Sequence, residues 1–412
     1  MSSAPWRQMA AKMAAGAKVN DAEAGLGASV YHKNSAQIEQ ANVTDTAKPS
    51  YDYIVLVLQG GGALGAYQAG IFEGMAEAGY APNWVAGVSI GAINAALIAG
   101  NPDGHRVERL REFWNLVSSG LAADAPTFFD PLHHAFNRAS AALSAVVGVP
   151  GFYAPRVPPA MLVPDGHPNA LSVYDTSLLR STLTDMVDFD LINRRDTRFS
   201  VGAVNVHTGN STYFDNEYDT IELDHVMASG ALPPAFAPVE IDGSHFWDGG
   251  IVSNTPLWYV LDESPTMQGL IVQVDLFNAR GELPQNLDQV MERHKDIIYS
   301  SKTRFNTSRV TDQESLRNAL QRVLKRLPAD LANDPDVRAL SDSLRGPKID
   351  IVHLINRRYS YTSSSKDNDF SRATVKQLWE SGLDDARRTI HHPEWLRRST
   401  MGEGIRVFDL AH

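Results

Sequence analysis

The chain has 412 residues, 43% of them hydrophobic and 21% charged, ample for the buried core of a large α/β fold. A formal net charge of −11 argues against general nucleic-acid binding, which needs a basic face to neutralise phosphates. With no cysteine, disulfides, thiolate metal sites and cysteine nucleophiles are excluded.

Residues 1–50 are rich in Ala, Ser, Asn and Gln without sustained periodicity, which predicts a loosely ordered N-terminal arm. Order is expected to begin at Tyr53–Leu58, an apolar β-branched run suited to a buried parallel strand. A glycine turn follows, then a helix over Ala66–Ala78 stopped by Gly79. Trp84–Gly87 reads as the next strand and Ile90–Ala99 as the next helix. This alternation predicts an α/β fold, a mostly parallel central sheet flanked by helices. Residues 122–164, with aromatic side chains and prolines, break the regular order as an insertion, either a lid or a helix and loop packed on the core. Further strands are expected at Phe199–Asn205, Leu270–Val274 and Ile349–Leu354. A helix is expected from about Asp312 to Arg326, and an amphipathic one carrying Val375, Leu378, Trp379, Leu383 and Ala386 on one face. The reading is a core over 51–275 and a helical C-terminal extension over 276–412 that returns a further strand to the same domain.

Three motifs carry chemistry. Gly87-Val88-Ser89-Ile90-Gly91 matches G-x-S-x-G, in which a serine on a sharp strand-to-helix turn exposes its hydroxyl. The helix after it would aim N-terminal N–H groups at developing negative charge. Gly60-Gly61-Gly62-Ala63-Leu64-Gly65 fits a dinucleotide fingerprint by spacing, but that reading expects an acid at the end of the second strand, and Tyr80–Gly87 contains none. Small residues with N–H groups free for a carbonyl oxygen make an oxyanion hole the better reading. Asp248-Gly249-Gly250 alone is an ordinary turn, and gains weight because a serine nucleophile needs a base.

Together with Ala228–Val239, these motifs resemble the patatin-like phospholipase family over roughly residues 51–260, and the region from Gln273 to about Tyr359 looks like the C-terminal extension of a bacterial subgroup. The resemblance implies that Ser89 is the nucleophile and Asp248 the general base of a Ser–Asp dyad. It places the oxyanion on the backbone N–H groups of Gly61 and Gly62, with Gly60 as a third candidate, and makes Gly87 and Gly91 the glycines of the elbow. It implies an acyl-ester hydrolase acting on a lipid or related ester through an acyl-serine, with no metal or cofactor. Many members carry Arg or Lys where this chain has Leu64, so that charge is not available here for a phosphate headgroup. A triad with His353 is the alternative within hydrolases; a thioesterase or polyester hydrolase, or a non-catalytic acyl-binding protein, are the other readings. No run of about 18 apolar residues appears, and the N-terminus lacks a secretory h-region. The expectation is a cytoplasmic protein, with peripheral membrane contact left open.

Overall fold

The computed structural model describes residues 51–120, 140–264, 268–328, 331, 334–344, 348–357, 366–396 and 404–410, with the backbone alone for 301–314 and 342–343. The expected arm over 1–50 and the part of the insertion over 121–139 lie outside them.

Eleven strands are described: β1 Tyr53–Leu58, β2 Trp84–Val88, β3 Ala154–Pro155, β4 Tyr174–Asp175, β5 Arg198–Asn205, β6 Ser211–Asp215, β7 Val239–Ile241, β8 Ser244–Asp248, β9 Gln268–Asp275, β10 Lys348–Ile355 and β11 Ile405–Phe408. Nine of them form one sheet in the order β11-β10-β9-β1-β2-β5-β8-β7, with β6 also on β5. From β11 through β5 all neighbours are parallel; β6, β7 and β8 are joined antiparallel. The fold is therefore the mixed, mostly parallel α/β architecture that the apolar runs predict. Alternation in β1 explains its burial on both faces: Leu56 and Leu58 enter one hydrophobic layer, Val55 and Val57 the other. Each such side chain contributes about 1.5–3 kcal/mol of burial at most.

The helix after the serine, Ile90–Ala99, is buried along its whole length, consistent with its nearly unbroken apolar sequence. The helix after the glycine turn runs Ala66–Glu77 and packs against the C-terminal helix Arg372–Ile390. Their backbones meet closely because both carry glycine at the crossing. A Cβ on Gly70 would lie 2.0 Å from the Trp379 carbonyl oxygen, and one on Gly382 would lie 2.1 Å from that of Tyr67. A hydrogen bond from the Tyr67 hydroxyl to Asp385 (2.7 Å) locks the pair.

The C-terminal region returns two strands to the sheet, β10 on β9 and β11 on β10, where the sequence reading expected one. The helix expected from about Asp312 is the end of a longer one, Leu287–Leu324, capped at its start by the Asn286 side chain on the Gln289 N–H (3.0 Å).

Candidate active site

Ser89 stands between β2 and the helix Ile90–Ala99 with φ 57° and ψ −124°, a strained backbone for a non-glycine residue. The flanking glycines make the turn sterically feasible. A Cβ on Gly87 would fall 2.3 Å from the Gly91 carbonyl oxygen, and one on Gly91 would fall 2.3 Å from that of Leu58 at the end of β1. The Ser89 N–H donates to the Ser229 hydroxyl (3.1 Å), which itself donates to the Gly202 carbonyl on β5 (2.6 Å). That relay fastens the turn to the neighbouring strand.

Sheet register brings Asp248 to the serine. β2 pairs with β5 as far as Val88 opposite Gly202, and β8 takes over with Asp248 opposite Ala203. Where the chain leaves the sheet at Ser89, the aspartate occupies the next position along the same strand. A Cβ on Gly249 would lie 2.5 Å from the Gly202 carbonyl oxygen, so glycine after the aspartate is what allows this approach. Asp248 is buried, and its Oδ1 accepts the Gly250 N–H (2.7 Å). Desolvation pushes its carboxyl up to about 7, against the Ser89 hydroxyl and the Gly250 N–H, which draw it down. Oδ2 has no partner of ordinary hydrogen-bond geometry among the described residues. The Ser89 hydroxyl thus faces the carboxyl without being aligned as a normal hydrogen bond, a loose arrangement familiar in unliganded catalytic pairs.

The glycine turn lies opposite. Gly60 donates its N–H to the Asn254 carbonyl (3.1 Å), so its proton is already committed and it serves the turn as a brace. This removes Gly60 from the three oxyanion donors expected from the sequence. The N–H groups of Gly61 and Gly62 have no acceptor among the described residues. Gly62 has φ +56°, a left-handed conformation natural to glycine, and a Cβ there would lie 2.2 Å from the Asp367 carbonyl oxygen.

Sequence reasoning missed the buried amides beneath the turn. Asn254 Nδ2 donates to the Gly60 carbonyl (3.1 Å). The Gln59 side chain donates to the Thr255 hydroxyl (2.9 Å) and accepts the N–H groups of Leu276 and Phe277. Gln68 donates to the Gln59 carbonyl (2.7 Å), and Asn94, on the serine's own helix, donates to Gln68 Oε1 (2.9 Å). Fully paired amides of this kind hold loops in one geometry. Asn254 follows the Asp-Gly-Gly motif closely enough to have been a candidate; the glutamines left no pattern.

Ser89, Asp248, Gly60–Gly62 and Asn254 line a cavity of about 220 Å³. Phe152, Tyr153, Tyr174, Phe236 and Phe370 form an aromatic wall, with the Phe152 and Phe370 rings 5.6 Å apart. Asp367, Asn368 and Phe370 come from the C-terminal region. Lys295, on the helix Leu287–Leu324, holds Asp367 at 2.7 Å, and Lys366 is paired with Asp296 (2.7 Å) and Glu292 (3.2 Å) on the same helix. Leu64, at the position that is often basic in the family resembled, is buried in the core.

His353 does not line this cavity; its ring is paired with Asp275. His245 lies on β8, partly exposed, 4.0 Å from Glu240. Among the described residues no group of three or more His, Asp or Glu side chains is placed to hold a metal ion.

A family model described as patatin-like phospholipase matches residues 56–261, and a second, described as patatin phospholipase, matches residues 297–402. The chain belongs to the patatin-like phospholipase family. The second match extends well past the region in which the sequence resembled a C-terminal extension, through the segment that walls the cavity. No curated protein matches the sequence. Among solved structures, the chain is similar to VipD from Legionella pneumophila, at 14% identity over 81% of this chain and 68% of that one, with a TM-score of 0.33. It is also similar to the human GIVD cytosolic phospholipase A2, at 12% identity over 84% of this chain, with a TM-score of 0.37. The chain spans 60% of that human protein's length.

Proposed function

We propose that this patatin-like protein is a carboxylic-ester hydrolase that releases a fatty acid from a lipid or related ester through a Ser89–Asp248 dyad. The observation that carries the reading is the placement of a strained, half-buried serine lining the cavity next to a buried carboxyl whose proton affinity is raised to about 7. Such a carboxyl is matched to accepting a proton near neutrality. Asp248 takes the Ser89 proton as Oγ attacks the acyl carbon, and the carbonyl oxygen becomes an oxyanion received by the Gly61 and Gly62 N–H groups. Protonated Asp248 returns the proton to the leaving alkoxide, and an acyl-serine remains. Water then attacks the acyl carbon, with the same aspartate taking its proton and passing it back to Ser89 as the fatty acid leaves.

The aromatic wall suits an acyl chain. Among the described residues, the charged ones lining the cavity are Asp248 and Asp367. With no lysine or arginine in that lining among the described residues, and with Leu64 buried, a neutral ester fits the cavity as well as a phospholipid does. A thioester would use the same steps.

Labelling with a fluorophosphonate, followed by peptide mass analysis, tests the reading. It expects one adduct on the peptide carrying Ser89, and none in Ser89→Ala. Binding of fatty acid without labelling would favour a non-catalytic acyl-binding protein instead.

A further inference from the structure

The catalytic cavity opens beside a segment that exposes aliphatic side chains in a way its own folding does not require. Residues 157–164, Val-Pro-Pro-Ala-Met-Leu-Val-Pro, contain no charged residue and no polar side chain. Val157 is 92% exposed, Met161 90% and Leu162 72%. Scattered surface hydrophobics are ordinary, but a run this exposed marks a contact surface.

The segment is firmly built. Residues Ala160–Leu162 form a 3-10 turn, with the Leu162 N–H on the Pro159 carbonyl (2.9 Å) and the Val163 N–H on that of Ala160 (3.1 Å). At its base, Arg156 is held by Ser172 (2.9 Å), Asn169 (2.8 Å) and Asp175 (3.2 Å), and its N–H donates to the Val173 carbonyl. These amide protons are satisfied within the loop, and proline supplies none at three positions. The N–H groups of Val157, Ala160 and Met161 have no acceptor among the described residues, so the tip suits the hydrated headgroup boundary rather than the hydrocarbon core.

The patch is continuous with the catalytic cavity. Val157 follows the two-stranded ribbon β3–β4, whose Tyr174 lines that cavity and donates its hydroxyl to the Ala145 carbonyl (2.9 Å). Ala145 lies on a helix over 140–147 whose Val146 and Val147 are 74% and 64% exposed. An apolar groove of about 200 Å³, lined by Leu143, Val147, Pro150 and Leu178 among others, shares Tyr153 and Phe370 with the cavity.

We propose that this face, with Val157, Met161 and Leu162 at its tip, is the surface by which the protein docks on a lipid bilayer and receives acyl chains through the adjoining groove. The proposal rests on a lipid being the substrate. Uncharged and aliphatic, the tip is fitted to shallow insertion at the headgroup boundary by apolar burial rather than to attraction by anionic headgroups. The chain's net charge of −11 points the same way, since it opposes binding to an anionic membrane.

The test uses the Ser89→Ala protein, so that vesicles stay intact whatever the chemistry proves to be. Because the chain has no cysteine, Met161→Cys gives a single attachment point for a polarity-sensitive fluorophore. Tyr218→Cys, beside Glu263 and the start of the sheet strands, is the control. With phosphatidylcholine vesicles, the probe at 161 should shift to the blue and the probe at 218 should not. Co-sedimentation should persist at about 0.5 M salt, where exposed charge attraction is screened. The combined variant Val157→Asp, Met161→Asp, Leu162→Asp should lose vesicle partitioning by at least about tenfold. In a chain with Ser89 intact, it should keep hydrolysis of a soluble short-chain ester within about twofold of the parent. A silent probe at 161, no sedimentation of the parent, or unchanged sedimentation of the combined variant would overturn the proposal. If the parent with Ser89 fails on the soluble ester, the hydrolase reading falls, while the vesicle results still judge the docking face separately.

Discussion

Asn254 and Gly60 are joined in both directions: the Gly60 N–H donates to the Asn254 carbonyl at 3.1 Å, and Asn254 Nδ2 donates to the Gly60 carbonyl at 3.1 Å. This pair of hydrogen bonds ties the glycine turn to the loop that follows Asp248. It spans 194 residues of sequence, so it sets the distance between two parts of the site that only the fold brings together. Asn254→Ala keeps the backbone half of the clamp and loses the side-chain half. Stability should fall by about 1 kcal/mol. The looser turn should lower kcat by about tenfold or more, with a smaller change in KM. Steady-state kinetics on a soluble ester, beside a urea melt, measure both.

The elbow glycines make a structural prediction. Gly91→Ala would place Cβ 2.3 Å from the Leu58 carbonyl oxygen, against backbone that has no room to move. Destabilisation of about 3 kcal/mol or an insoluble protein is expected. Gly104→Ala meets nothing within 4 Å and is the control, expected within about 0.5 kcal/mol of the parent. Thermal melts of the two decide it.

Much of this arrangement is legible in the sequence for a simple reason: strands buried on both faces read as near-continuous apolar runs, and β1, β2, β5, β9 and β10 are apolar along most of their length. The elbow is legible as well, because Gly87 and Gly91 answer local steric demands. Asp248 is legible only in company with the other two motifs and the family resemblance, since its place beside Ser89 depends on β8 succeeding β2 along β5. Gln59, Ser229 and Asn254 act through contacts across the chain, which no local spacing records. The wall formed by Asp367–Phe370 is hidden for the same cause: ion pairs to Lys295, Glu292 and Asp296 bring it back to the glycine turn from the far end of the chain.

Asp248 should govern the pH dependence of both activity and stability. As general base it must be ionised, so kcat/KM should rise as pH passes through about 7 and level above it. Stability runs the other way. An unfolded aspartate ionises near about 4, whereas the folded one holds its proton to about 7. Across that window the folded state binds more protons, so this group's contribution declines by about 1.4 kcal/mol per pH unit and is flat above about 7. Asp248→Asn should accordingly abolish hydrolysis yet raise stability, by more at pH 8 than at pH 5. Urea melts at the two values check the sign.

His353 offers a test of dyad against triad. It is buried at the end of β10 in a pair with Asp275, which also accepts from the Gln273 side chain (3.0 and 3.1 Å). His353→Gln should therefore leave kcat/KM on a soluble ester within about threefold while lowering the melting temperature. Complete loss of activity in a folded His353→Gln protein would point to a histidine base.

The central claim is that Ser89 performs the nucleophilic attack, and the hydrolysis of a chromogenic acyl ester by Ser89→Ala tests it most directly. Alanine keeps the turn's backbone and removes only Oγ. The account predicts a fall in kcat of at least about 10³-fold with an almost unchanged melting temperature. Activity retained at the level of the parent, in a folded Ser89→Ala protein, would contradict it.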